Sequence, residues 1–142
     1  MIVPDVNLLV YSVFDGFAQH DTARTWWDGV LTDGSPVGVP DVVLFGFVRV
    51  ATNRRVITSP LAVGEPAARV EAWLARPGVR VLVSGVRHVA TTLELLEMVG
   101  AGGNLTTDAQ IAAHARLTQG TVYSNDTDFA RFVGVSWRNP LA

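Results

Sequence analysis

Four aspartates hold positions from which they could act together. Asp5 closes the opening run IVPD, Asp108 stands in NLTTDAQ, and Asp126 and Asp128 punctuate SNDTDF. Carboxylates brought to one place repel one another, and that cost falls when a cation binds between them. An all-oxygen donor set suits a hard ion of octahedral preference, magnesium or manganese. Zinc is disfavoured, because His20, His88 and His114 are scattered without ligand spacing. His88 and His114 fall on helices and are expected to face solvent, and His20 to cap or start the second helix. No cysteine is present, so thiolate ligands, cysteine nucleophiles and disulfides are all excluded. The glycine-rich GAGGN at residues 100–104 is followed by leucine and fails the G-x-G-x-x-G pattern of a nucleotide loop, and no G-x-S-x-G elbow occurs.

Each aspartate also has an ordinary structural use. Asp108, after two threonines, suits an N-terminal cap or the first turn of a helix, where the dipole favours negative charge. Asp126 after Asn125 is a normal turn residue, and Asp128 suits the cap of a short final helix. Asp5 is harder to explain this way. It lies between Ile2 and Val3 on one side and Leu8, Leu9 and Val10 on the other, which predicts burial. A buried carboxylate without a donor or cation is costly.

The elements that must position these residues read as an α/β chain, short apolar runs alternating with helical patterns. Strands are expected at residues 2–4, 37–39, 80–83, 121–124 and 135–137. Helices are expected at 6–14, 21–31, 42–52, 66–75, 86–99 and 107–119, with a short one near Phe129. On the second helix Ala23, Trp27 and Val30 share a face; on the fifth, Val89, Leu93 and Leu96 do. Gly120 is expected to close the helix before it. Trp26 and Trp27 are adjacent on a helix, so only one can face the core fully, leaving the other half-buried or at an interface. In a mostly parallel sheet of about five strands flanked by helices, all strand C-termini share one edge, where open α/β folds place their sites. A helix leading into a parallel strand starts at that same edge. Asp5, Asp108, Asp126 and Asp128 can therefore all meet there.

Length and composition fit this picture. The 142 residues suit one domain, 1–142. With 49% hydrophobic and only 17% charged residues, disorder is excluded, and the apolar surplus suggests surface hidden against a partner. No stretch approaches the roughly 18 apolar residues of a membrane span. The opening MIVPD lacks a basic region and apolar run, so a cytoplasmic location is expected. All 11 basic residues are arginine and the net charge is −2.

The segments MIVPDVNLLVY, LFGFVRVATNRRV, GNLTTDAQIAAHA and TVYSNDTDFARF, with the trailing WRNPL, resemble the PIN-domain ribonucleases, and more specifically the VapC toxins of type II toxin–antitoxin pairs. The resemblance covers the whole chain, with the four blocks in the family's order and spacing. It implies a three-layer PIN-like fold and a Mg²⁺-dependent endoribonuclease, with Mn²⁺ able to substitute. Asp5, Asp108 and Asp126 match the family's metal-binding acids, and Asp128 the second acid of the last block, so these four are the implied catalytic residues. The family's usual glutamate on the helix after the second strand aligns with Gly46, a departure at one corner of the site; Asp41 is too early to replace it. A branch of VapC-like proteins with the same F-x-R-x-x-T-N pattern does without that glutamate. Arg49, one turn on from Gly46, and Asn53 are candidates for contact with the RNA backbone, with Arg54 and Arg55 beside them. The resemblance further implies a cognate antitoxin, an RNA substrate, a homodimer and no membrane. Two other readings stay open: a catalytically weak PIN-fold module acting through its antitoxin complex, and a DNA-directed nuclease of the same fold. If four acids gather at one site, the remaining nine stand against 11 arginines. The net −2 then reflects a metal site rather than a surface that repels nucleic acid.

Overall fold

A computed structural model describes all 142 residues. The chain runs β1 (Ile2–Pro4), α1 (Val6–Val13), α2 (His20–Asp33), β2 (Val37–Pro40), α3 (Asp41–Ala51), α4 (Gly64–Leu74), β3 (Val79–Leu82), α5 (Val86–Val99), α6 (Leu105–Thr118), β4 (Thr121–Tyr123), a 3₁₀ turn (Thr127–Arg131) and β5 (Ser136–Arg138). The five strands form one sheet in the order β3-β2-β1-β4-β5, and every neighbouring pair is parallel. Helices flank the sheet to complete a three-layer α/β fold. No helix is long and apolar enough to cross a membrane.

The central strands explain the apolar runs. Val3, Val37, Val39 and Val122 are wholly buried, and β1 pairs with β4 in the register Val3 to Val122. Strands covered on both faces read as continuous hydrophobic stretches rather than alternating ones. Each such side chain contributes about 1.5–3 kcal/mol through removal from water. The core extends through Leu9, Trp27, Phe47 and Ile111. Trp27 is buried and meets Trp73 edge-on at 5.8 Å, while Trp26 is half-buried and stacks on Tyr123 at 5.5 Å. Only one of the adjacent tryptophans enters the core, as their spacing requires. Ala23 and Val30 join Trp27 on the buried face of α2, which starts at His20.

Three expectations are corrected. The buried face of α5 is His88, Thr91, Thr92 and Leu95, whereas Val89 and Leu93 are exposed and Leu96 is only partly buried. A face rich in threonine and histidine packs because its polar groups are satisfied locally. Thr91 and Thr92 donate to the carbonyls of Arg87 and His88, and His88 Nε2 donates to the Gln110 carbonyl at 2.7 Å. His88 and His114 are accordingly buried, not solvent-facing, with rings stacked at 3.8 Å. α6 lies against β1, β4 and α5, so almost every side of it is covered and polar spacing along it does not report exposure. Finally, α6 ends on Gln119, which adopts the left-handed conformation at φ 55°, rather than on Gly120. Gly120 is needed for a different reason: a Cβ there would lie 2.9 Å from the Met1 carbonyl, which pairs with Thr121 across the sheet.

Candidate metal centre

The site begins where β1 ends. Asp5 continues the ladder by donating its backbone N–H to the Tyr123 carbonyl at 2.9 Å, which fixes it beside the end of β4. Its extended backbone (φ −86°, ψ 160°) caps α1, and Oδ1 accepts from Val6 N–H at 2.7 Å. Oδ2 accepts from the Ser124 hydroxyl, also at 2.7 Å. Burial raises the Asp5 pKa above the ordinary range; the bonds from Ser124 and Val6 oppose this, and the nearby Asp126 carboxylate adds to it.

Ser124, wholly buried after β4, is the joint that aligns the acids. Besides donating to Asp5, its oxygen accepts from Asn7 Nδ2 at 3.2 Å and from Asp126 N–H at 2.9 Å. The edge strand β5 holds it from behind: Ser124 N–H donates to the Arg138 carbonyl, and Trp137 Nε1 donates to the Ser124 carbonyl at 3.1 Å. One hydroxyl therefore ties β1, α1 and the β4 loop together. Neither Ser124 nor Asn7 was singled out by sequence reasoning. Asn7 stands two residues after Asp5 and Ser124 two before Asp126, and proximity to an acid was the only available signal.

Asp126 caps the 3₁₀ turn, Oδ1 accepting from Asp128 N–H at 2.9 Å. That turn brings Asp128 back towards α6, where Asp108 is waiting. Asp108, Asp126 and Asp128 each offer a carboxylate oxygen, and these oxygens lie within 4.8 Å of one another. Asp108 is in the first turn of α6, but it is the fourth helical residue and accepts no capping hydrogen bond. Desolvation, and then the charges of Asp5, Asp126 and Asp128, push its pKa up to about 7. Three of the four predicted acids thus form a tight group. Asp5 lies outside that trio, locked by hydrogen bonds, yet close enough for its charge to act on Asp108.

The donor set fits a hard divalent cation. All the oxygens are carboxylate oxygens, neither histidine nor cysteine joins them, and no arginine pairs with them. A cation would offset both the burial and the mutual repulsion that raise the Asp108 pKa. The histidine pair does something else. Desolvation and the adjacent His88 lower the His114 pKa to about 4, keeping it neutral, and its Nε2 is buried without a hydrogen-bond partner.

The remaining candidates lie on and just after α3. Gly46 is buried, and a Cβ there would come within 2.8 Å of Val6 Cγ2 and 3.9 Å of an Arg49 guanidinium nitrogen. Val6 therefore crowds the position of a first side-chain carbon, while the Arg49 guanidinium is at ordinary contact distance from it. Arg49 itself is exposed and pairs with no carboxylate. Asn53 Oδ1 accepts from Arg55 N–H at 3.0 Å in the turn after α3. Asp41 is a structural tie: burial works to raise its pKa, but hydrogen bonds from Ser84 and Val42 outweigh this and lower it, joining α3 to the segment between β3 and α5.

Comparison with known proteins bears on this geometry. Residues 2–135 match the PIN domain family. Ribonuclease VapC33 of Mycobacterium tuberculosis is 43% identical over 141 residues, covering 99% of each chain. Two solved structures share the fold. One is Mycobacterium tuberculosis VapC20, described as a toxin that cleaves the sarcin–ricin loop; its TM-score is 0.71 at 22% identity, over 96% of this chain and 99% of that one. The other is a DNA-bound VapBC from Salmonella typhimurium, with a TM-score of 0.70 at 18% identity, over 98% and 97%.

Proposed function

The chain belongs to the PIN-domain family and matches its VapC ribonucleases closely, and on that footing we propose that it is the toxin of a type II toxin–antitoxin pair, a Mg²⁺-dependent endoribonuclease acting in the cytoplasm. The observation that carries the reading is the convergence of Asp108, Asp126 and Asp128 at the C-terminal edge of a parallel sheet, with their carboxylate oxygens within 4.8 Å. Asp108 and Asp126 would hold the cation, with Asp5 completing the negative field from beneath and Asp128 closing the exposed side. When bound, Mg²⁺, or Mn²⁺ in its place, would lower the pKa of a water and offset charge developing on the phosphate. The chain's own part is to hold four acids together before substrate arrives. Ser124 does part of this by donating to the Asp5 carboxylate and accepting the Asp126 backbone N–H, while the Asp126 carboxylate is held by Asp128 N–H. Arg49 and Asn53, exposed or half-buried at the end of α3, are the proposed contacts to the RNA backbone. A cognate antitoxin and a second copy of the chain are the proposed protein partners, consistent with the low charge of the surface.

A second reading is favoured by one observation. The helix after the second strand carries Gly46, with no carboxylate, where the family usually has a glutamate, and a Cβ there would press on Val6 Cγ2 at 2.8 Å, as expected of a catalytically weak module that acts through its antitoxin complex. Incubation of the purified chain with structured RNA and Mg²⁺, and in parallel with DNA, separates the readings. Internal RNA cleavage that is abolished by EDTA and by Asp5→Asn supports the ribonuclease. Equal cleavage by wild type and variant would sink it, cleavage of DNA alone would reassign the substrate, and no cleavage of either would favour the binding module.

A further inference from the structure

While Trp27 carries α2 into the core, the pairs Asp21/Thr25 and Thr22/Trp26, each one turn apart, share a different side of the helix. With Pro140 they line an open surface cavity of about 450 Å³, a volume in the roughly 300–1,000 Å³ range of small-ligand sites. Its aromatic wall is Trp26, half-buried and braced by stacking on Tyr123 at 5.5 Å with the rings 19° apart. Its acid is Asp21, exposed and paired with no arginine. No basic residue lines the cavity, so it is unsuited to a phosphate and suited to a flat group that donates hydrogen bonds. We propose that this cavity is a base-reading subsite, in which Trp26 stacks an unpaired guanine of an RNA substrate and the Asp21 carboxylate accepts its N1–H and N2–H. The proposal rests on the ribonuclease reading above and names what that site selects.

Two connections tie the cavity to the acids. Asn139 Oδ1 accepts from Leu141 N–H at 3.0 Å, which fixes the turn at Pro140, and Asn139 Nδ2 donates to Asn125 Oδ1 at 3.2 Å. Asn125 directly precedes Asp126. One side-chain bridge and single-residue steps of about 3.8 Å therefore hold Pro140 within roughly 20 Å of Asp126, a reach of a few nucleotides. Tyr123, which braces the Trp26 ring, also gives its carbonyl to Asp5 N–H. The choice of base follows from its hydrogen-bonding edge. An ionised carboxylate only accepts, and guanine alone presents two adjacent N–H donors on its Watson–Crick edge. Adenine and cytosine set an acceptor beside their amino group, and uracil flanks its one N–H with carbonyl oxygens that repel a carboxylate. Unpaired bases of RNA are read in this way, by stacking on an aromatic ring and by hydrogen bonds to that edge.

The test titrates the intact chain, in EDTA so that no cleavage occurs, with each of the four ribonucleoside 5′-monophosphates while the indole N–H resonances are followed by NMR. Trp26→Phe assigns the Trp26 signal. Guanosine monophosphate is expected to shift it at concentrations about fivefold or more below those the other three require. Asp21→Asn, at an exposed position that leaves the fold intact, should abolish that preference while weak stacking persists. In a parallel arm, the cuts made in an RNA of randomised sequence with Mg²⁺ should show guanine enriched at one fixed distance from the cleaved bond. Asp21→Asn should lose the enrichment, and Trp26→Leu should raise KM about tenfold with little change in kcat. Selective guanosine monophosphate binding without any RNA cleavage would uphold the base site and overturn the ribonuclease reading. Cleavage with no guanine preference, and a Trp26 signal indifferent to all four nucleotides, would overturn the base site alone. A Trp26 signal that moves with N-acetylarginine amide and not with guanosine monophosphate would also overturn it, reassigning the cavity to a protein side chain.

Discussion

A carboxylate surrounded by carboxylates is kept in place by its own proton until a cation takes the proton's role. Asp108 is that group, with its pKa pushed up to about 7 by burial and three neighbouring acids. Because the folded value exceeds the ordinary 3.8, the folded state binds the extra proton between the two. The contribution to stability is therefore full below about pH 3.8 and is lost as pH rises through about 7. In EDTA at about pH 8, Asp108→Asn should stabilise the protein, by about 1–2 kcal/mol after allowing for solvent screening, as read by urea unfolding. With Mg²⁺ present the order should reverse, since ligand binding stabilises only a chain that can bind it. Ser124→Ala tests the support beneath the acids. It strips Asp5 Oδ2 of its donor and Asn7 and Asp126 of their acceptor, and should cost about 1–3 kcal/mol in a melt. Its RNA cleavage should fall about tenfold or more, because supporting groups of this kind orient metal ligands. The four acids were legible from their places at strand ends and helix starts. Ser124 was not, because a serine after an apolar strand has no distinguishing neighbour until the fold brings Asp5 to it.

At the level of elements, the strands and helices were readable because each is a short apolar run or an amphipathic stretch bounded by turn residues. What could not be read was which side of α5 faces the core. α5 buries His88, Thr91 and Thr92 and exposes Val89 and Leu93, the reverse of what hydrophobicity alone suggests. The cause is α6, whose alanines allow close packing and whose Gln110 carbonyl satisfies His88. His114, stacked on His88 and held neutral, makes this junction sensitive to acid. Desolvation and His88 lower its pKa from 6.5 to about 4. Its contribution is thus full above about pH 6.5 and is lost as pH falls through about 4. In an Asp5→Asn/Asp108→Asn background, where the opposing trends of both raised carboxylates are gone, urea unfolding should show stability falling from about pH 7.5 to 5. Replacing His114 by Gln should flatten that dependence; an unchanged slope would mean the titration lies elsewhere.

Across the whole molecule, charge and topology are one argument. A parallel sheet in the order β3-β2-β1-β4-β5 places the ends of β1 and β4 side by side at its centre, and the acids collect there. With Asp5, Asp108, Asp126 and Asp128 set aside, the remaining nine of the 13 acids stand against 11 arginines, and a divalent ion bound at that edge would offset the net −2. Part of the apolar surplus is exposed, at Phe45, Val83, Val86 and Val133 among others. The edge site was legible because parallel topology sends every strand end to one side. The crowding of Gly46 by Val6 was not, since it depends on side-chain packing between α1 and α3. The most direct test of the account is an anomalous difference map from crystals of the purified chain soaked in Mn²⁺. The account predicts a single strong peak bounded by the carboxylates of Asp108 and Asp126, with Asp5 close behind. A saturating soak that leaves these carboxylates without a peak, or places the ion at another part of the surface, would contradict it.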